Sequence, residues 1–459
     1  MKLCVLGGGG VRSPFLAKSI ACNSKLVNIT EVVFMDIDSY KLEKYGELAR
    51  QISLRINPEL NIQLETDAYK ALDKADYVIT TLRVGGDQAR VNDEKIVSKY
   101  GIIAQETTGA CGFAMAMRSI PRLVEYCKII KEVSNPDCMI FNFTNPSGIV
   151  TQSLNDMGYK VFGICDAPSE FIKQIGQIMN VGERKFTSNC FGLNHYSWFN
   201  HFEIDNVDVT KQVLDSSELF EKTEMRLFDK DILNMTDGFL LNEYFYFYFY
   251  NKKAIELTLK SDQTRAQLIE MVNLQMNEAL KNIDVKSDFE TAFQLFFDHY
   301  YIRENNYMMT ESGKNRVQHY STPIVSEFIQ TADEGGYAGV ALRCVKAMAT
   351  NEPIEMILSV PNRGAISELF DDDIVEISCI IDSSGVHPKK QTNIPIVISN
   401  MICSMKEYER IAVKAIINKD RNLAVKALLV NPLVANYDIA KNIIDEFIEQ
   451  YEGELSAWE

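Results

Sequence analysis

A cysteine and a histidine thirty positions apart offer the most chemistry in this chain. Cys165 lies in Gly163-Ile164-Cys165-Asp166-Ala167-Pro168, with a carboxylate directly after it. His195 lies in Gly192-Leu193-Asn194-His195-Tyr196-Ser197-Trp198, among aromatic and apolar neighbours. A thiolate and an imidazole together suit a divalent first-row metal and leave coordination positions open for a substrate and water. A buried thiol and a hydrogen-bonded core histidine would give the same pattern, because this spacing is not a local metal motif. Arg83, beside Gly85 and Gly86, and Arg265, in Thr264-Arg265-Ala266, could each bind phosphate or carboxylate, or serve in surface ion pairs. Gln105-Glu106-Thr107-Thr108-Gly109 and Asn145-Pro146 are polar loops that could hold ligand hydroxyls or simply turn the chain. The run Tyr244-Phe245-Tyr246-Phe247-Tyr248-Phe249-Tyr250 alternates at period two, which favours a strand with one tyrosine face. Packing is its commoner use, but a tyrosine near a metal and an arginine can act as a base.

These residues need a frame, and the first half of the sequence supplies one. Lys2 to Leu6 reads as a buried strand, followed by Gly7, Gly8, Gly9 and Gly10, then Val11, Arg12, Ser13 and Pro14. Ser13 as N-cap and Pro14 at the first helical position would open a helix whose N-terminus suits a pyrophosphate. Val32 to Met35 reads as a second strand, ending at Asp36 where an acidic residue would hold a ribose hydroxyl. A strict G-x-G-x-x-G is absent, since Arg12 or Ser13 takes the third glycine's place. A polar helix over 41–55 follows. Further strands are expected at 62–64, 77–82, 138–143 and 160–164, with helices around 68–74 and 113–133. The alternation predicts a Rossmann-like, doubly wound parallel sheet with polar residues gathered past its strand ends. After residue 200 the alternation stops. Residues 265–300 and 402–450 read as helical and 354–360 and 374–381 as strands, giving a mixed, helix-rich α/β second domain. The expected boundary puts an NAD-binding domain at 1–195 and a substrate-binding and oligomerisation domain at 196–459.

Composition narrows the partners. The 459 residues carry a net charge of −16, which argues against nucleic acid and anionic membrane surfaces. No apolar stretch reaches a membrane span, and no basic-then-apolar leader opens the chain. Ten scattered cysteines without C-x-x-C fit reduced thiols in a cytoplasm.

Taken together, the segments GGGGVRSP, RVGG at Arg83, QETTG at Glu106, NFTNPSG at Asn145, GICDAP at Cys165, GLNH at His195, NEYFYFY at Tyr244 and TRA at Arg265 resemble glycoside hydrolase family 4. That family comprises NAD- and metal-dependent 6-phosphoglycosidases, and the likeness runs through most of the chain. It implies a cleavage outside the two-carboxylate scheme. NAD+ takes hydride from C3 of the sugar, the C2 proton becomes acidic, the aglycone leaves, water adds, and the hydride returns. The resemblance assigns the metal, typically Mn2+, to Cys165 and His195, and the C2 base to Tyr244, with Tyr246 and Tyr248 as the alternatives for the base. It gives Asp166 as the acid and a substrate contact. It gives Gly7 to Gly10, Val11, Arg12 and Asp36 to the cofactor, Arg83 to both cofactor and substrate, and Glu106, Asn145 and Arg265 to the substrate. Ser13 would reach toward the phosphate.

Three features qualify the likeness. Ala110-Cys111-Gly112 replaces the Pro-Gly-Gly of many relatives. Asp166 follows the pattern of relatives acting on α-linked phosphoglucosides, whereas Val360 to Ile366 and Gly335-Gly336-Tyr337-Ala338 resemble the β-type proteins. Two segments against one lean the expectation to a 6-phospho-β-glucosidase. The α-enzyme and an α-galacturonidase are the alternatives within the family. A dehydrogenase of the malate or lactate kind, or a silent NAD-binding regulator, are the alternatives outside it. Relatives are usually dimers or tetramers.

Overall fold

The computed structural model describes residues 1–333, 337–350, 352–453 and 458. Its centre is β1 (Lys2–Leu6), whose Leu3, Cys4, Val5 and Leu6 are wholly buried. Only a strand covered on both faces leaves such a continuous apolar run without cost. Around it lie β2 (Glu31–Met35), β3 (Asn61–Glu65), β4 (Tyr77–Thr80), β5 (Met139–Asn142) and β6 (Val161–Gly163). All six are parallel in the order β3-β2-β1-β4-β5-β6. The order reverses between β1 and β4, so a crevice opens past their carboxyl ends, where open α/β sheets bind ligands.

A hairpin of β7 (Phe186–Leu193) and β8 (Tyr196–Ile204) forms a second sheet with β9 (Val207–Asp208) and β10 (Leu240–Leu241). The expected boundary at 195 falls in the turn of that hairpin. The strands expected in the C-terminal region exist as β11 (Ile354–Pro361) and β12 (Ile374–Asp382), with β13 (Gly385–Pro388) after them. They do not build a sheet of their own. β11 pairs antiparallel with β6 through Ser359 and Gly163, and β12 and β13 follow, so among the described residues the main sheet is nine strands wide. Helices cover the rest, including Arg265–Leu280, Phe289–Asn305 and Ile396–Asn418.

Several local expectations shift. The tyrosine–phenylalanine run is helical over Phe245–Phe249, and a further helix follows over Asn251–Lys260. With every residue aromatic, the run also satisfies helical i,i+4 spacing. Phe245 stacks on Phe249 at 5.3 Å, and Tyr246 on Tyr250 at 5.2 Å. Ser13 is not an N-cap. Arg12 holds that position without a side-chain cap, and the helix runs Ser13–Asn23. Ser13 is wholly buried beneath the loop, with no hydrogen bond to its hydroxyl, and does not reach the cavity. The helix expected from 113 begins at Gly109, so Ala110, Cys111 and Gly112 are its first turn. A Cβ on Gly112 would sit 2.7 Å from the Thr107 carbonyl, so a residue without one belongs there. Gly335 and Gly336, part of the β-type likeness, lie outside the described residues. Among the described residues no helix is long and apolar enough to cross a membrane.

Candidate active site

The glycine run is a cradle shaped by close approach. Gly7 takes a φ of +93°, and a Cβ there would meet the Thr81 carbonyl oxygen at 2.6 Å. A Cβ on Gly8 would lie 2.7 Å from the Phe34 Cα. Gly9 donates its N–H to Asp36 Oδ2 at 3.0 Å. Gly10 closes the turn, its N–H reaching the Gly7 carbonyl at 2.9 Å. Gly7, Gly9, Gly10, Val11, Arg12 and Asp36 all line one cavity of about 500 Å³. Gly8 does not line it and serves only to let the loop lie on β2. A bare-backbone cradle at the N-terminus of an eleven-residue helix, with a carboxylate beside it, fits a dinucleotide. Ile37, Asp38 and Lys41, which the sequence did not single out, extend the same wall.

Across the cavity stands an arginine cluster. Arg83 Nη2 lies 3.1 Å and Arg90 Nε 2.5 Å from the same oxygen, Glu106 Oε2. Arg265 donates from Nη1 to the Arg303 carbonyl at 2.6 Å. Burial opposes ionisation of Glu106, but Arg90 and Arg83, with Arg265 and Arg303, hold its carboxyl well below the usual range. Burial, reinforced by Arg90, brings Arg83 down to about 10, against the pull of Glu106. Arg90 also pairs with Asp87 at 3.4 Å and Arg303 with Glu304 at 3.5 Å, so four arginines face three carboxylates, and the positive charge left over suits a phosphate group. Glu106 therefore orders the arginines as well as lining the cavity. Arg90 and Arg303 were not legible as site residues by type. Arg90 sits on the buried face of helix Gly86–Ser98 with Ala89, Ile96 and Val97, and a charge in that apolar register was the available signal. Asn145 also lines the cavity, at the end of β5.

Cys165, Asp166, His195 and Tyr244 come together at the same cavity. Cys165 follows β6, its Sγ 4.0 Å from Asp166 Oδ1, and Asp166 takes the N-cap position of helix Ala167–Ile178. Burial, with Glu376 and Asp166 adding negative potential, pushes the free thiol up. His195 occupies the β7–β8 turn with a φ of +59°. Burial lowers its imidazole to about 3, against a small opposing pull from Glu106. Its ring stacks flat on Tyr244 at 3.9 Å. Tyr246 instead donates to the Glu311 carbonyl, and Tyr248 packs on Tyr196, so neither lines the cavity. Burial and Glu243 raise the Tyr244 phenol, while a hydrogen bond from Tyr307 opposes them. The unaided site therefore favours a phenol over the lowered pKa expected of a base, and a nearby cation would have to supply the difference.

The donors fit a metal on the evidence of one hydroxyl. Thr107 Oγ1 gives its single proton to Gln105 Oε1 at 2.9 Å, an oxygen that also accepts the Thr107 and Thr108 N–H groups. The same Oγ1 lies 3.3 Å from His195 Nδ1, placed to accept from it in the tautomer that carries its proton on Nδ1. That tautomer leaves the Nε2 lone pair free for coordination. Among the described residues no group of three or more His, Cys, Asp or Glu forms a closed metal cage. A cation held by Cys165 and His195 would thus keep open positions. Gln105 and Thr107 back the histidine ring rather than simply lining a hydroxyl pocket. Glu243, Glu224, Tyr307, Arg303 and Arg316 complete the walls.

A Rossmann-type sheet whose dinucleotide crevice opens onto an arginine cluster and a thiol–imidazole pair defines a nucleotide-dependent enzyme acting on a phosphorylated substrate. The chain belongs to glycosyl hydrolase family 4: the family's own model matches residues 2–181, and the model of its C-terminal domain matches residues 190–434. It is 29% identical over 457 residues to the 6-phospho-beta-glucosidase BglT of Thermotoga maritima, covering 98% of each chain. It is 26% identical to the phospho-alpha-glucosidase PagL of Clostridium acetobutylicum, again over 98% of each. A structure of the Thermotoga maritima enzyme with manganese, NAD+ and glucose-6-phosphate matches with a TM-score of 0.79 at 27% identity over 99% of each chain. A 6-phospho-alpha-glucosidase from gut microorganisms, solved with NAD and glucose-6-phosphate, matches with a TM-score of 0.80 at 25% identity over 100% of each.

Proposed function

We propose that this protein hydrolyses 6-phospho-β-glucosides, using NAD+ and a divalent cation such as Mn2+. The reading rests on one observation: the glycine cradle, the arginine cluster and the Cys165–His195–Tyr244 group share a single cavity. Gly7, Gly9, Gly10, Val11, Arg12 and Asp36 hold the dinucleotide, with Gly8 supporting the loop. Arg83 and Arg265 receive the 6-phosphate, Asn145 and Glu106 the sugar side. Cys165 and His195 hold the cation. When bound, NAD+ supplies a transient hydride sink at C3 of the sugar and the cation a Lewis acid beside it. Tyr244 takes the C2 proton, and Asp166 gives a proton to the departing glycosidic oxygen. The β assignment is supported by BglT and by a probable 6-phospho-beta-glucosidase of Bacillus subtilis that is 28% identical. Asp166 favours the α-anomer, so 6-phospho-α-glucosides are the second reading. A cytoplasmic setting, supported by ten unpaired cysteines, and a homodimer or homotetramer complete the proposal.

The test is hydrolysis of 4-nitrophenyl α- and β-glucoside 6-phosphates with and without NAD+, Mn2+ and reductant. Release of nitrophenol that needs all three, faster from the β-substrate and without net NADH, is the expected result. NADH accumulating with turnover would instead mark a dehydrogenase. Sedimentation at two concentrations reads the oligomer.

A further inference from the structure

The turn that presents His195 is held from outside its own hairpin. Glu376, on β12 and 1% exposed, grips it on both sides. Its Oε1 accepts from Asn194 Nδ2 at 2.9 Å, and its Oε2 from Ser197 Oγ at 3.0 Å. One arm is the residue before His195 and the other lies two residues after it. His195 itself has a left-handed backbone, a conformation uncommon outside glycine.

The same carboxylate is tied to the strand that leads to Cys165. Gly163, Ser359 and Glu376 lie side by side on one rung of the sheet, Gly163 opposite Ser359 and Ser359 opposite Glu376. The contact is close, since a Cβ on Gly163 would stand 2.6 Å from Ser359 Cβ. Gly163 is two residues before Cys165. Strand spacing is a stiff length, about 4.8 Å per step. None of Glu376, Asn194, Ser197 or Ser359 lines the cavity, so this rung lies behind the site and touches no ligand.

We propose that Glu376 is a positioning residue that fixes the His195 ring relative to Cys165, and so sets the cation affinity of the pair. The inference rests on the metal reading given under Proposed function. Binding a cation with only two protein ligands leaves little else to define the donor separation, and outer contacts that orient ligands typically govern 10–100-fold in metal affinity.

Titration of the chelator-treated full chain with Mn2+, followed by the electron paramagnetic resonance signal of free Mn2+, tests this. Calorimetric NAD+ binding on the same samples serves as the reference. Glu376→Ala is expected to weaken Mn2+ roughly 10–100-fold while NAD+ affinity stays within about twofold. Glu376→Gln keeps an acceptor for Asn194 and a donor toward the Ser197 oxygen, so it should recover most of the wild-type affinity. Ser197→Ala removes a single arm and gives an intermediate loss. It carries the test if Glu376→Ala does not fold. Cys165 alkylation, read by mass spectrometry, should lose its Mn2+ protection in parallel. Unchanged Mn2+ affinity in the folded variants would overturn the assignment, as would equal losses of Mn2+ and NAD+, which mark a general structural role. If the wild-type chain itself binds no Mn2+, the metal reading fails together with this one.

Discussion

Glu106 is where the arginine cluster is most exposed to a single change. Glu106→Gln keeps the shape but removes the charge that Arg83 and Arg90 share through one oxygen. Breaking a buried ion pair from one side costs about 3–5 kcal/mol. The Glu106 side chain is 24% exposed, which places the loss at the lower end, near 3 kcal/mol. Unfolding entropy of about 2.1 cal/mol/K per residue turns that into a fall in Tm of about 3 °C for a chain of 459 residues unfolding as one unit. The folded pKa is depressed, so the contribution is fully present above the unfolded value of about 4.3 and is lost as pH falls below it. The deficit of the variant should therefore be constant between pH 6 and 8. The second arm of the test is inorganic phosphate. With its carboxylate gone the cluster gains free positive charge, so phosphate should raise the variant's Tm more than the wild type's. Differential scanning calorimetry across a phosphate series measures both. Equal Tm values and equal phosphate shifts would mean that Glu106 does not organise the cluster.

Other changes probe the remaining walls. Gly9→Ala puts a Cβ 3.0 Å from the Asp36 carboxylate and should weaken NAD+ by about tenfold, read by calorimetry, with the fold kept. Tyr244→Phe should lower kcat by about 10²–10⁴-fold and abolish solvent exchange of a C2 deuteron, which mass spectrometry of the product follows. Arg265→Ala should reduce kcat/KM for phosphorylated substrates by about 100-fold, measured against an unphosphorylated glucoside that it leaves unchanged. Glu94 is raised to about 7 by burial, aided by Glu311 and Glu106 and opposed by bonds from Thr264 and Ala266. Its folded form holds the proton more tightly than the unfolded one, so stability falls as pH rises from about 4.3 to 7. Urea unfolding at pH 5 and pH 8 should show on the order of 3 kcal/mol more loss in wild type than in Glu94→Gln.

The parallel half of the sheet could be read in the sequence because each of its strands is a local event. An apolar run such as Val32 to Met35, bounded by polar residues, carries its own signal. The alliance of β11 with β6 carries none, because it joins Ser359 to Gly163 across almost two hundred residues. The aromatic run misled for a related reason. Its period of two was real, but helical packing of Phe245 on Phe249 fits the same letters. At the site, glycine, cysteine, histidine and tyrosine stand out by type. Glu243 and Tyr307 are ordinary residues whose meaning comes only from where the fold buries them, and Arg90 announces itself only as a charge in an apolar register.

The rung that joins Gly163 to Ser359 also decides what counts as an exchangeable piece of this protein. A chimera joined at residue 195 would set β6 of one parent against β11 of the other, so that the pairing of Gly163 with Ser359 joins two sequences never fitted to each other. Grafting substrate preference from one relative onto another therefore calls for a discontinuous module, with residues 354–388 travelling alongside the N-terminal strands.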